Sequence, residues 1–414
     1  MPRRSRFVVR PPEPHETDAL VACSEAAFSL RYPPRLRERL ADDLEAGTFR
    51  CAFADGELVG MAALYDVELT VPGPHQVRAA ALSEVAVLPT FRRRGVLSGL
   101  MDALLGEAGG RGHPLVVLLA SEGGIYGRFG FGPACLAAHY RLERPAAHLA
   151  DHPSPPGAVR LLPEAHARSA FPAVFDAARR ARVGEIDRSP SWWQGVFDDP
   201  GASLRGLGAG AGGARFLCSY EEGGRIDGYA IYEVGSARRA AERSLELAEL
   251  VALTPPAYTA LWGYLLGVDL VGRVVTGERP VDEPLRHLLA DPRSLETTRV
   301  VDHLWVRLLD PLAALRARRY AGPGQLVVEV TGSGPGPGSY RLDVGESGEA
   351  SVAVATAPGD VRLDLAALAS AYLGGTSFGS LGAAGRAEER TAGALARASA
   401  LFGVPEAPFC TAEL

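Results

Sequence analysis

The feature that most limits what this chain can fold into is a degenerate internal repeat. Residues 219–234, Ser-Tyr-Glu-Glu-Gly-Gly-Arg-Ile-Asp-Gly-Tyr-Ala-Ile-Tyr-Glu-Val, echo residues 53–67, Phe-Ala-Asp-Gly-Glu-Leu-Val-Gly-Met-Ala-Ala-Leu-Tyr-Asp-Val. Downstream, Leu247-Ala-Glu-Leu-Val-Ala-Leu-Thr-Pro echoes Leu82-Ser-Glu-Val-Ala-Val-Leu-Pro-Thr. Each copy reads as two strand-like runs joined by a tight turn, then a third apolar run stopped by proline. The copies part where chemistry would lie. Arg92-Arg93-Arg94-Gly95 follows the third run in the first copy, whereas Pro255-Pro256-Ala257-Tyr258 stands there in the second. A catalytic role is therefore expected of the first copy alone.

Around the repeat, residues 7–144 predict strands and helices in the order β-α-α-β-β-β-α-β. Strands are expected at 7–10, 49–54, 58–65, 79–88 and 115–120, and helices at 16–28, 34–46 and 95–108. Asp55-Gly56 is the hairpin signal, and the continuous apolar run 115–120 reads as a buried strand. Three prolines in residues 150–157 mark a boundary. After residue 300, strand-like segments at 325–331, 339–344, 350–355 and 361–363 and helices at 364–373 and 387–401 predict an α+β unit. The 414-residue length suits two to four domains, drawn here at 1–149, 158–299 and 300–414.

Composition narrows the function classes. All 43 basic residues are arginine, since lysine is absent, which removes lysine nucleophiles and Schiff bases. A net charge of −6 disfavours general nucleic-acid binding and fits a cationic small substrate better. The five cysteines, Cys23, Cys51, Cys135, Cys218 and Cys410, are scattered without CxxC or Cys/His metal spacing, so neither disulfides nor a metal site are expected. The basic N-terminus lacks an apolar stretch, and no run of about 18 apolar residues occurs. We read the protein as cytoplasmic with no membrane span.

Residues 85–100, Val-Ala-Val-Leu-Pro-Thr-Phe-Arg-Arg-Arg-Gly-Val-Leu-Ser-Gly-Leu, are a strand, a basic turn and a helix start. Backbone N–H groups from Arg93 through Arg94, Gly95, Val96 and Leu97 to Ser98 lack helical acceptors and face an anion favoured by the helix dipole. Gly95 permits close approach and arginine supplies fork-shaped donors. Alone, such a turn is more often a solvated surface. Its setting argues otherwise, because Ser121-Glu122-Gly-Gly-Ile-Tyr126-Gly-Arg-Phe-Gly-Phe follows directly on the buried strand.

V-x-V-x-P-x-x-R-x-R-G-x-L, then a strand, then Y-x-R-F-G-F resembles the GNAT acyltransferase superfamily. Two tandem GNAT-like domains, the second degenerate, followed by a sterol-carrier-like α+β domain further resemble the Eis (enhanced intracellular survival) family of bacterial aminoglycoside N-acetyltransferases. The fold class so implied is a mixture of α/β and α+β. The resemblance implies acetyl-CoA contacts at Val85, Ala86 and Val87, at Arg93 to Ser98, and at Ser121 and Glu122. It implies that Tyr126 is the general acid toward the CoA thiolate and that the α-carboxylate of Leu414 is the general base. A cationic amine substrate, a role in antibiotic resistance and a homohexamer are further implications.

Other residues weigh less. Glu84 is a reserve base, as readily a plain surface charge. Phe28, Trp192, Trp193 and Trp262 could line a substrate cavity but read more often as core, and His113 as a loop residue. Glu25, Asp42, Asp43, Glu45 and Asp66 are compatible with a cationic acceptor. The alternatives are a peptide or protein amine as acceptor, or a non-catalytic carrier of an apolar ligand.

Overall fold

The computed structural model describes residues 7–32, 48–144, 146–198, 214–237, 239–332 and 336–412. The predicted helix at 34–46 and three of the acidic candidates, Asp42, Asp43 and Glu45, lie outside the described residues, as does Leu414.

In the first part, strands β1 (Val8–Arg10), β2 (Thr48–Ala54), β3 (Glu57–Val71), β4 (His75–Val87), β5 (Leu115–Leu119), β6 (Gly132–Pro133) and β7 (Leu136–Glu143) alternate with helices Thr17–Phe28 and Val96–Gly110. The middle part contributes β8 (Ala158–Leu161), β9 (Ala214–Glu222), β10 (Arg225–Val234), β11 (Ser244–Ala252), β12 (Arg273–Thr276), β13 (Glu296–Asp302) and β14 (Leu304–Leu308), with helices Glu164–Arg179, Pro190–Asp198 and Pro255–Gly267. The last part has β15 (Gly324–Thr331), β16 (Gly338–Val344), β17 (Ala350–Ala355), β18 (Val361–Asp364) and β19 (Ala387–Glu389). Among the described residues these form sheets ordered β1-β2-β3-β4-β5-β14-β6, β13-β7-β12-β11-β10-β9-β8 and β17-β16-β15-β18-β19.

The repeat is a structural repeat. The β2–β3 hairpin turns at Asp55-Gly56 and the β9–β10 hairpin at Gly223-Gly224, with positive φ at all four residues. Both third strands carry a β-bulge at the same place. In the first copy Met61 faces Ala86 and Ala63 faces Ser83, so Glu84 and Val85 together oppose one residue. In the second Ile231 faces Glu249 and Tyr232 faces Leu247, leaving Ala248 as the extra residue.

The two copies exchange strands, which the sequence did not reveal. β7, after the first copy's last motif, pairs with β12 and β13 in the second sheet. β14 enters the first sheet between β5 and β6, with Leu304 opposite Leu119 and Leu308 opposite Leu115. Cuts along the chain near residues 150 and 300 therefore divide the sequence without dividing the sheets. The apolar face of β14 through Leu304, Val306 and Leu308 joins a core that continues into the third sheet.

The predicted helix 387–401 is corrected. Ala387–Glu389 pairs with β18, and the helix begins only at Ala394, after Gly393 adopts φ 76°. The left-handed glycine permits a turn that a continuous helix would forbid. The five cysteines are buried and unbridged. No helix among the described residues is long and apolar enough to cross a membrane.

Candidate active site

β4 and β5 are parallel partners over Ala79, Ala80 and Ala81 opposite Leu115, Val116 and Val117, and part company beyond them. The gap is widened on the β4 side by the bulge, where Glu84 takes φ 52°. A left-handed glutamate is strained, and such strain persists where the surroundings hold it. It takes the backbone near Glu84 and Val85 out of the regular ladder with β3. Val85 and Val87 are half-buried and Ala86 is buried.

After β4 the chain passes Pro89–Phe91 as one turn of 3-10 helix and reaches the basic turn. Arg93 has φ 61° and Gly95 φ 90°. These left-handed residues reverse the chain so that helix Val96–Gly110 starts beside the gap, its first bond running from Gly99 N–H to the Gly95 carbonyl at 3.1 Å. The N–H groups of Val96, Leu97 and Ser98 thus have no acceptor within the helix. The helix sits close because Gly60 on β3 lacks a side chain, and a Cβ there would lie 2.8 Å from Val96. Arg92, Arg93 and Arg94 are exposed; Arg92 donates to the Ala27 carbonyl at 2.9 Å and Arg94 stacks on Phe91.

The second copy shows how the same place is shut. Helix Pro255–Gly267 begins with two prolines, which have no N–H, and the Ala257 N–H is taken by Thr254 Oγ1 at 3.3 Å. No donors remain there for an anion.

Across the gap, β5 ends at exposed Ser121 and Glu122, and a short turn, Gly123–Tyr126, follows. Tyr126 is buried edge-to-face against Phe131, and burial beside the Glu122 charge pushes its phenol up to about 12. It shares one apolar cluster with Leu82, Leu118 and Trp305, against which Val85, Leu97, Ala120 and Ile125 pack. The fold thereby draws residues of all three predicted segments together.

The strand exchange adds residues that sequence reasoning missed. β14 brings Asp302, His303 and Trp305 to the Tyr126 end of β5. Trp305 Nε1 donates to Asp302 Oδ2 at 2.7 Å, and a Cβ on Gly123 would lie 3.7 Å from the Trp305 ring and 4.0 Å from that carboxylate. The His303 N–H donates to the Cys135 carbonyl at 3.0 Å, and desolvation lowers its imidazole below the ordinary value against the opposing charge of Glu278. No motif could have exposed this group, because its members meet only through β14.

Other candidates resolve differently. Glu25 is buried and held by Arg31 at 2.8 Å and by the Tyr32 N–H. Asp66 lies 2.8 Å from His113 Nε2, near the start of β5 and thus away from Ser121. His113 lies in the loop before β5, as expected, and is buried there with Nδ1 3.3 Å from the Ala108 carbonyl. Trp193 and Trp262 are core residues of the second unit, Trp192 is half-buried and Phe28 is exposed. Glu84 is half-buried at the bulge.

Comparison with known proteins agrees with this architecture. Family profiles described as "Acetyltransferase (GNAT) domain" match residues 8–134 and 184–308, and a "Sterol carrier protein domain" profile matches 311–411. An uncharacterized N-acetyltransferase of Streptomyces avermitilis is 34% identical, with 99% of each chain covered. The N-acetyltransferase Eis of Mycobacterium tuberculosis is 36% identical over 84% of this chain and 83% of its own. The crystal structure of Eis1 from Mycobacterium abscessus superposes with a TM-score of 0.85 at 33% identity, covering 98% of this chain and 100% of that one. With two GNAT units exchanging strands, one open turn and one closed, and a sterol-carrier unit behind them, this chain belongs to the Eis-like N-acetyltransferases of the GNAT superfamily.

Proposed function

We propose that this N-acetyltransferase moves the acetyl group of acetyl-CoA to an amine of a small polycationic molecule, with aminoglycosides as the substrate class. The observation that carries the reading is the open wedge between β4 and β5, flanked by the left-handed turn at Arg93 and Gly95. Pyrophosphate oxygens would accept from the N–H groups of Arg93 to Ser98 at the helix N-terminus. The thioester would lie along Val85, Ala86 and Val87 near Ser121 and Glu122, its carbonyl oxygen accepting backbone N–H bonds freed by the bulge. Exposed Glu122 and Asp302, with Glu278 beside His303, favour a cationic acceptor at the same end.

In the proposed reaction the amine nitrogen bonds to the acetyl carbon, the C–S bond breaks, and the amine proton passes to the α-carboxylate of Leu414. A carboxylate is ionised at neutral pH and accepts without prior change. Tyr126, with its phenol at about 12, stays protonated and offers O–H to the departing sulfur. Because a thiol titrates near about 8.5, full proton transfer from such a phenol is uphill, so the hydrogen bond is the main contribution.

The test is CoA-thiol release with acetyl-CoA and a panel of aminoglycosides, polyamines and peptides bearing free amines, on the chain as it stands and extended by one glycine after Leu414. Turnover of aminoglycosides lost on extension, with acetyl-CoA binding kept, is the expected result. Turnover indifferent to extension would move the base to Glu84, and turnover confined to peptides would overturn the acceptor class.

A further inference from the structure

The last described residues are held by the second unit. Arg182 donates to the Ala407 carbonyl at 2.8 Å and pairs with Glu406 at 3.0 Å. The Ala407 N–H donates to Asp282 at 2.7 Å, and the Phe409 N–H to the Val183 carbonyl at 2.9 Å. At Thr411 the contacts become buried and charged. Its N–H donates to the Glu185 carboxylate at 3.1 and 3.0 Å, and its hydroxyl donates to Glu185 at 2.9 Å while accepting from Arg188 at 2.8 Å.

Those partners are themselves locked. The Arg188 guanidinium donates to Glu249 at 2.5 and 3.2 Å and packs 4.0 Å from the Phe175 ring and 4.9 Å from Trp193. Glu249 also accepts the Tyr229 hydroxyl at 2.9 Å. Glu185 is 4% exposed, Glu249 8%, and the Arg188 side chain 4%. Glu185 also accepts from the Ile186 N–H at 3.2 Å and the Cys410 thiol at 3.5 Å, so its shortest hydrogen bonds are those from Thr411. An unsatisfied buried carboxylate is costly, which makes this segment of tail a required part of the packing.

Glu249 stands at the second copy's bulge, where the first copy has Glu84. The second unit has closed its anion turn and turned its bulge carboxylate inward onto Arg188. We infer that Glu249, Arg188, Glu185 and Thr411 are positioning residues for the first unit's active site, fixing the tail segment that leads to it. The inference deepens the proposed function and rests on its reading that the tail's end takes part in catalysis. The path supports it, since Cys410 and Ala412 lie in the same buried cluster as Cys135 and Leu304, and the His303 N–H donates to the Cys135 carbonyl at 3.0 Å.

The experiment uses Thr411→Val, Thr411→Ser and Glu249→Gln in the full chain, and Thr411→Val again in the chain extended by one glycine. Misplacing a reacting group by an ångström costs up to about a hundredfold, so Thr411→Val and Glu249→Gln are expected to lower kcat ten- to about a hundredfold. Acetyl-CoA affinity should be retained, and Thr411→Ser should restore kcat because it keeps the hydroxyl. In the extended chain Thr411→Val should add no further loss. An unchanged kcat in either Thr411→Val or Glu249→Gln overturns the inference, as does an equal additional loss in the extended chain. Should extension itself be harmless, the Leu414 base fails alone. A kcat loss rescued by serine, with faster amide exchange at residues 409–412, would then still support the anchor.

Discussion

Glu84 and Glu249 occupy one position in two copies of the same hairpin and bulged strand, yet they face opposite fates. Glu84 is half-buried beside the open turn at Gly95, whereas Glu249 is buried against Arg188 and Tyr229. The difference follows from the residues after each strand. Arg93 and Gly95 take left-handed conformations and leave helix N–H groups free, while Pro255, Pro256 and Thr254 leave none. Two units of common topology thus differ in whether the strand-to-helix turn keeps free donors.

The turn can be tested through Gly95. A Cβ there has room, the Phe7 ring being 4.0 Å away, so the penalty of Gly95→Ala comes from its φ of 90°. A left-handed L-residue costs about 1–2 kcal/mol, and the relaxed turn is expected to weaken acetyl-CoA binding by about tenfold. Gly106→Ala in the same helix, where nothing lies within 4 Å of an added Cβ, should instead raise stability by about 0.5–1 kcal/mol. Calorimetric titration of both variants decides it; equal acetyl-CoA affinities would refute the role of the turn.

Tyr126→Phe is expected to lower kcat by ten- to about a hundredfold, the worth of a hydrogen bond to a developing charge, and to leave acetyl-CoA affinity intact. With the wild-type phenol at about 12, deprotonation of Tyr126 should produce no fall in kcat below about pH 10. A basic limb near neutrality that vanishes in Tyr126→Phe would contradict this.

His303 makes acid stability the next measurement. Its imidazole is depressed by desolvation, opposed by Glu278, Asp302 and the Ala412 carbonyl and reinforced by His139. Below the unfolded value of about 6.5 the unfolded chain binds the proton more readily than the folded one, so stability falls as pH drops from there toward the depressed folded value. Urea midpoints between pH 5 and 7.5 should decline on acidification, and less steeply in His303→Gln. Parallel declines in the two proteins would remove His303 from the account.

In the third unit, Arg318 is 1% exposed, stacks on Tyr320, Tyr372 and Phe402, and donates to the Tyr372 and Phe402 carbonyls where two helices end. Burial lowers its pKa, and the carbonyls at those C-termini accept its charge. Arg318→Met should destabilise by about 2 kcal/mol by orphaning those carbonyls. A denaturation midpoint equal to wild type would show the guanidinium to be dispensable.

The reach of the sequence can be judged from particular residues. Asp55-Gly56 marked the first hairpin because backbone twist demands positive φ there, a local requirement, and the repeat carried that reading to the second copy. The loss of the second turn was equally visible, since proline lacks an N–H wherever it is placed. The bulges escaped notice, because register is a property of two strands and a single strand does not state it. The pairing of Asp66 with His113 was hidden for the same reason, since it joins β3 to the loop before β5.

The amino-acid sequence by itself determined the repeat, the open turn at Arg93 to Ser98, the Tyr126 element and the class of chemistry. Each is written in contiguous residues whose φ preferences and donors act locally. Only the tertiary structure decided that β7 and β14 change sheets, that Trp305 and Asp302 meet the Tyr126 element, and that Arg188 and Glu185 grip Thr411. Those contacts join residues far apart in the chain, and burial selects them: an apolar strand finds the sheet edge that covers it, and a buried charge the partner that satisfies it.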